Sequence, residues 1–74
     1  MLYALPAISQ IPTKYLHDIG MELREFGFDG RIRTKAERDA ICYAFSDNFA
    51  PSVAVFRIIR MRVNGIMPRL GKIA

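Results

Sequence analysis

The 74-residue sequence contains one cysteine, one histidine and no tryptophan. A lone Cys42 excludes a disulfide within the chain, and one histidine with one cysteine cannot form a metal site without recruiting distant carboxylates. No apolar run approaches the roughly 20 residues that a membrane-spanning helix needs. The five glycines match neither a phosphate-binding loop nor a dinucleotide-binding fingerprint.

Groups that could carry catalysis are correspondingly few. His17 and Asp18 are neighbours in a predicted helix, so their side chains diverge and do not form a catalytic dyad. We expect His17 at the surface and Cys42 in the core as a small hydrophobic residue. The sequence therefore predicts a protein with no enzymatic activity and no cofactor.

Acidic residues are absent from the chain after Asp47. The seven acids are Asp18, Glu22, Glu25, Asp29, Glu37, Asp39 and Asp47. Residues 1–51 carry six bases and seven acids, a net charge of −1, whereas residues 52–74 carry five bases and no acid, a net charge of +5. With a pI of about 9.7, this block of one sign indicates a polyanion or an acidic protein surface as the partner.

Length and composition favour one small folded domain. The hydrophobic fraction of 51% suffices for a small core, and the charged fraction of 24% is ordinary for a globular protein. The first ten residues are apolar but lack a basic region, and Pro6 interrupts them, so they do not resemble a signal peptide. We expect a cytoplasmic, reducing location.

The first helix is predicted over about residues 13–26, with Thr13 as its N-cap. Apolar residues recur at spacings of three and four, which is typical of a helix with one buried stripe. That stripe consists of Leu16, Ile19, Leu23 and Phe26. Gly27 fits the left-handed position that follows a helix.

The second helix is predicted to follow a capping box formed by Thr34 and Glu37 and to end near Phe45. Its expected inner face consists of Ala40, Ile41, Ala44 and Phe45. The alternating residues 31–33, which precede the capping box, are predicted to form a short strand or an extended segment.

The third helix is predicted from Pro51, which suits a first helical turn, to about Asn64, with Gly65 as its stop. A 100° spacing places a broad apolar arc on one side, made of Val55, Phe56, Ile58, Ile59 and Val63. Arg57, Arg60 and Asn64 fall on the opposite face. Arg62 lies near the apolar arc and is expected to extend along its stem to solvent.

The predicted fold class is therefore all-α: a three-helix domain at residues 13–65, with an extended apolar arm at 1–12 and a basic tail at 66–74. Four apolar residues of the arm are candidate partner-binding residues: Leu2, Tyr3, Leu5 and Ile8. The sequence leaves open whether the arm packs on its own domain or on a second subunit.

The segment Thr34–Arg62 loosely resembles a helix-turn-helix, with Phe49–Arg60 in the place of the recognition helix. In that family the recognition helix enters the major groove of DNA, and arginines or lysines hold phosphates. The resemblance implies that Ser52, Ala54 and Arg57 face bases, with Arg60 and Asn64 nearer the backbone. The connection 46–49 is longer than the usual turn and lacks its glycine.

Two functional hypotheses follow. The first is a small transcription regulator that binds duplex DNA through its third helix, as a monomer or as a homodimer. Its nucleic-acid-binding candidates are Ser52, Arg57, Arg60 and Asn64, with Arg62, Arg69 and Lys72 supplying supporting charge. The alternative is a phage-type modulator that docks on an acidic surface of the host transcription machinery, such as RNA polymerase.

Two further interpretations carry less weight. A membrane-surface role for the third helix is disfavoured, because a domain this small needs the apolar arc for its core. In the other interpretation, the arginines of the third helix are simply a solvated face with no partner.

Overall fold

The third helix packs against both of the others. The structure, a computed structural model, describes residues 5–66. It consists of a 3₁₀ turn at Ile8–Gln10, α1 (Thr13–Glu25), α2 (Lys35–Ser46) and α3 (Pro51–Ile66). α3 contacts α1 and α2, and the 3₁₀ turn contacts α2. The predicted all-α, three-helix fold is confirmed for the described residues, which form no strand.

The core combines aliphatic side chains from all three helices. Its buried members are Ile11, Ile19, Leu23, Ala40, Ile41, Cys42, Ala44, Ala54, Val55 and Ile58. Cys42 therefore occupies the core position that the sequence predicts, and it is a free thiol. Among the described residues, the one charged side chain buried at this core is Glu37, which is 3% exposed.

The start of α1 differs from the prediction. Thr13 is the first helical residue, and Pro12 occupies the N-cap without a side-chain hydrogen bond. At the other end, Phe26 is 65% exposed instead of completing the buried stripe. The reason is that α1 ends at Glu25, so Phe26 sits in the cap, where the chain already turns away from the core.

The end of α1 follows the prediction at Gly27, which has a positive φ of 87°. The amide of Phe28 donates to the carbonyl of Leu23 at 2.9 Å, and the amide of Gly27 donates to that of Arg24 at 2.9 Å. These two bonds form a Schellman motif, which satisfies carbonyls at the end of the helix. The half-buried Phe28 then packs against the core.

The capping box of α2 forms in a shifted arrangement. Thr34 Oγ1 accepts a hydrogen bond from the Glu37 amide at 3.1 Å, as predicted. The carboxylate of Glu37, however, accepts from the amide of Arg33 at 2.7 Å, one residue before the cap. Residues 31–33 lead into this cap without forming a strand.

The described part of the N-terminal arm packs on its own domain. Ile11 is 5% exposed, and the half-buried Leu5 and Ile8 contact the core. The arm is also not extended throughout, because the amide of Gln10 bonds to the carbonyl of Ala7 at 2.8 Å in the 3₁₀ turn. The candidate partner-binding residues Leu2 and Tyr3 lie outside the described residues.

No helix within residues 5–66 is both long and apolar enough to cross a membrane.

Candidate nucleic-acid interface

The buried face of α3 differs from the predicted apolar arc. Ala54 and Ile58 have no exposed surface and Val55 is 2% exposed, whereas Phe56 is 61% and Val63 is 38% exposed. At 100° per residue, the helix is rotated by about a quarter turn from the orientation that hydrophobicity predicts. Ala54, which the helix-turn-helix resemblance places against DNA bases, therefore lies in the core.

The rotation turns Arg62 inward, so the prediction that its side chain extends to solvent is wrong. Its side chain is 10% exposed and meets the carboxylate of Glu37, which is 4% exposed. Arg62 Nε donates to Glu37 Oε2 at 2.9 Å, and Nη2 donates to Oε1 at 3.1 Å. This bidentate geometry is the one in which an arginine and a carboxylate bind most strongly.

The same guanidinium also holds the α1–α2 connection. Arg62 Nη1 donates to the carbonyl of Asp29 at 2.6 Å, and Nη2 also donates to the carbonyl of Arg31. We call Arg62 with these acceptors and Glu37 the Arg62 clamp. The hydrogen bond to Glu37 raises the pKa of Arg62. Because its donors are engaged inside the domain, Arg62 is not placed to contact a nucleic acid.

The exposed surface of α3 carries arginines without carboxylate partners. We call it the outer face; it consists of Ser52, Phe56, Arg57, Arg60, Val63 and Asn64. Within residues 5–66, Arg57 and Arg60 form no ion pair. By contrast, Lys14 and Lys35 each lie 3.0 Å from an aspartate one turn along the same helix. The outer face therefore presents positive charge that no described carboxylate neutralises.

An aromatic ring lies in the middle of this positive surface. The guanidinium carbon of Arg60 lies 5.7 Å from the centroid of the Phe56 ring, a cation–π distance. The two side chains border a shallow groove, whose other lining residues are Val53, Arg57 and Met61. The outer face can therefore make both ionic and apolar contacts at the same place.

The connection between α2 and α3 is a second Schellman motif. Asn48 has a φ of 61°, the left-handed conformation that glycine most often adopts. The amide of Phe49 donates to the carbonyl of Ala44 at 2.8 Å, and that of Asn48 donates to Phe45 at 3.0 Å. Asn48 thus adopts the left-handed conformation in a connection that contains no glycine.

This connection is also held from α1. The hydroxyl of Tyr15 donates to the carbonyl of Phe49 at 2.9 Å, and the Tyr15 ring packs edge-on against Phe45 with centroids 5.2 Å apart. The start of α3 is therefore positioned by contacts to both preceding helices.

The structure brings four of the predicted site residues together on one surface: Ser52, Arg57, Arg60 and Asn64. Arg62 lies in the clamp, and Arg69 and Lys72 lie outside the described residues. Sequence reasoning missed Phe56 as an exposed residue, because a hydrophobic pattern alone assigns a phenylalanine to the core. The signal available in the sequence was the small Ala54, which suits a close helix contact.

Groups suited to catalysis do not gather elsewhere in the described part of the chain. Residues 5–66 contain no cluster of three or more histidine, cysteine, aspartate or glutamate side chains that could hold a metal ion. Burial, with a contribution from the charge of Asp39, raises the pKa of the Cys42 thiol. His17 is exposed, as the sequence predicts.

Comparisons with known protein families, curated proteins and solved structures found no match to this chain. The function is therefore inferred from its side chains alone.

Proposed function

We propose that the protein is a non-enzymatic transcription regulator that binds duplex DNA through the outer face of α3. The observation that carries this proposal is the exposure of Arg57 and Arg60 on one helical face beside Ser52 and Asn64. Neither arginine forms an ion pair within the described residues. Arginines supply the phosphate contacts that dominate affinity for DNA. Serine and asparagine are side chains that bond to phosphates or to base edges.

The local architecture is compatible with insertion of this helix into a groove. α3 spans 16 residues, and the Asn48 turn and the Tyr15 hydrogen bond fix its start relative to α2 and α1. The Arg62 clamp fixes its other end. A rigidly held helix with one exposed basic face is the arrangement that helix-turn-helix proteins use in the major groove.

The salt dependence of binding tests this proposal quantitatively. If Arg57 and Arg60 each neutralise one phosphate, the slope of log K against log salt should be about −2, and contributions from Arg69 and Lys72 would bring it to about −4. A dimer would double these values. The slope can be measured by fluorescence anisotropy of a labelled duplex at salt concentrations from about 20 to about 200 mM.

A matched pair of variants separates the outer face from net charge. Arg57→Ala should reduce the magnitude of the slope by about 1 and weaken binding to all sequences alike. Arg24→Ala removes the same charge from an exposed position at the end of α1 and should leave the slope unchanged. Equal losses in both variants, or no binding at 20 mM salt, would refute DNA binding by the outer face.

A second candidate function is docking on an acidic surface of the transcription machinery, such as RNA polymerase. The observation that favours it is the exposed Phe56, since aromatic residues and arginine are enriched at protein interfaces. Binding of purified RNA polymerase that Phe56→Ala abolishes and Phe26→Ala preserves would support this function. If both variants still bind RNA polymerase, this function is contradicted.

A further inference from the structure

The most unusual feature of the outer face is the solvent-exposed ring of Phe56. At 61% exposed it contributes little to the core, whose buried α3 members are Ala54, Val55 and Ile58. The guanidinium of Arg60, one turn later on the helix, lies over this ring. An exposed apolar group at the centre of a charged surface favours recognition of something other than phosphate.

The side chain of Arg60 has no carboxylate partner inside the domain. It forms no ion pair within the described residues, and its contact with Phe56 is an attraction between the cation and the ring. The planar fork of an arginine matches O6 and N7 of guanine in the major groove.

The ring of Phe56 matches a different group in the same groove. The 5-methyl group of thymine is the apolar feature of the major groove, and phenylalanine is a side chain that contacts it. The ring and the guanidinium lie 5.7 Å apart, which is between one and two base steps of about 3.4 Å. Both groups could therefore meet bases of one short sequence at the same time.

We propose that Phe56 and Arg60 form a single base-recognition unit that selects a thymine within two base steps of a guanine. This inference rests on the proposed DNA-binding function. It places Arg60 at a base edge and Arg57 at the DNA backbone, which reverses the positions that the helix-turn-helix resemblance implies. With Arg60 on a base, the two arginines would neutralise one phosphate, and their expected salt slope would be about −1 instead of −2. The unit would give sequence preference, while Arg57 would supply sequence-independent affinity.

Single-atom changes in the DNA test this unit. A duplex is first selected from a random pool with the full-length protein. Each thymine is then replaced by uracil, which deletes one methyl group, and each guanine by 7-deazaguanine, which deletes the N7 acceptor. We expect about a fourfold loss of affinity at one thymine, from one buried methyl group, and at least about a fivefold loss at one guanine nearby.

Protein variants then assign each loss to a side chain. Phe56→Ala should bind the thymine and uracil duplexes equally, and Arg60→Met, which has no hydrogen-bond donor, should bind the guanine and 7-deazaguanine duplexes nearly equally. The control Phe26→Ala removes a ring that is 65% exposed at the C-cap of α1 and should retain both wild-type losses. Circular dichroism melting checks that each variant is folded.

The outcomes distinguish this inference from the proposed function. Salt-dependent binding with no enriched sequence, or a thymine effect that persists in Phe56→Ala, would overturn the base-recognition unit and leave DNA binding intact. Absence of binding at low salt would overturn both. In that case, loss of RNA polymerase binding in Phe56→Ala alone would assign the ring to a protein contact.

Discussion

Arg62 Nε, near the end of α3, lies 2.9 Å from Glu37 Oε2 in the first turn of α2. The two side chains are 10% and 4% exposed, so both charges have lost most of their hydration. Removing one partner from such a pair leaves an uncompensated buried charge, which destabilises a protein more than the intact pair stabilises it.

Arg62→Met is expected to lower the free energy of unfolding by about 3 kcal/mol. Urea denaturation followed by circular dichroism measures the change. The control Arg60→Met, at an exposed position, should stay within about 0.5 kcal/mol of wild type. Equal midpoints for the two variants would show that the clamp does not stabilise the fold. If Arg62→Met does not fold, Arg62→Lys should fall between it and wild type, because it keeps the charge without the planar fork.

Glu37 should make stability depend on acid pH. Burial alone would raise the pKa of Glu37, but the hydrogen bonds from Arg62 and the Arg33 amide, with the charges of both arginines, outweigh it and hold the pKa below its ordinary value. Its contribution to stability is therefore complete above the ordinary pKa of 4.5 and is lost as the pH falls through the lower pKa of the folded state.

Thermal melts of wild type should show a midpoint that falls steadily below pH 4.5. Glu37→Gln should flatten this dependence, because it removes the carboxylate that must be protonated. Glu25→Gln, at an exposed site on α1, should keep the wild-type profile. Parallel profiles for Glu37→Gln and wild type would contradict the role given to Glu37.

Two glycine-to-alanine substitutions should change the free energy of unfolding in opposite directions. A Cβ at Gly27 or at Gly65 would meet no atom within 4 Å, so neither change creates a clash. Gly27 has a φ of 87°, and alanine there should destabilise by about 1–2 kcal/mol through backbone strain. Gly65 lies inside α3, where alanine is the better helix former and should stabilise by about 0.5 kcal/mol. Denaturant midpoints of the two variants measure the contrast.

Lysine substitutions test the orientation of α3 directly. Ala54→Lys would bury an unpaired charge and should destabilise by at least about 3 kcal/mol, whereas Phe56→Lys, at an exposed position, should change stability by less than about 1 kcal/mol. The hydrophobic pattern predicts the reverse order. Chemical denaturation of both proteins decides between the two orientations.

The sequence predicts the helices and their ends well where a local interaction determines them. Pro51, Thr34 and Gly27 occupy the helix-start, capping and left-handed positions expected of them, because each is constrained by its own backbone or by residues a few positions away. Gly65 is the exception. The sequence predicts that Gly65 stops α3, but the helix continues through it to Ile66, because glycine in a last turn disfavours a helix only modestly.

The orientation of α3 was not predictable in the same way. It depends on the contact between Arg62 and Glu37, which are 25 residues apart, and on the small volume of Ala54 at the buried surface. A pattern of hydrophobic residues contains neither contribution. It therefore places Phe56 inside, and it predicts that the side chain of Arg62, which lies near the apolar arc, extends out to solvent. The candidate site was therefore predictable in its arginines, Arg57 and Arg60, but not in its aromatic ring.

The Arg62 clamp also has a consequence for the order of events during synthesis. The carbonyls of Asp29 and Arg31 receive their guanidinium donors from a residue more than 30 positions later. A nascent chain that ends before residue 62 lacks these donors and cannot complete the connection between α1 and α2. The hydrogen bonds of that connection therefore depend on the last helix, which also carries the outer face.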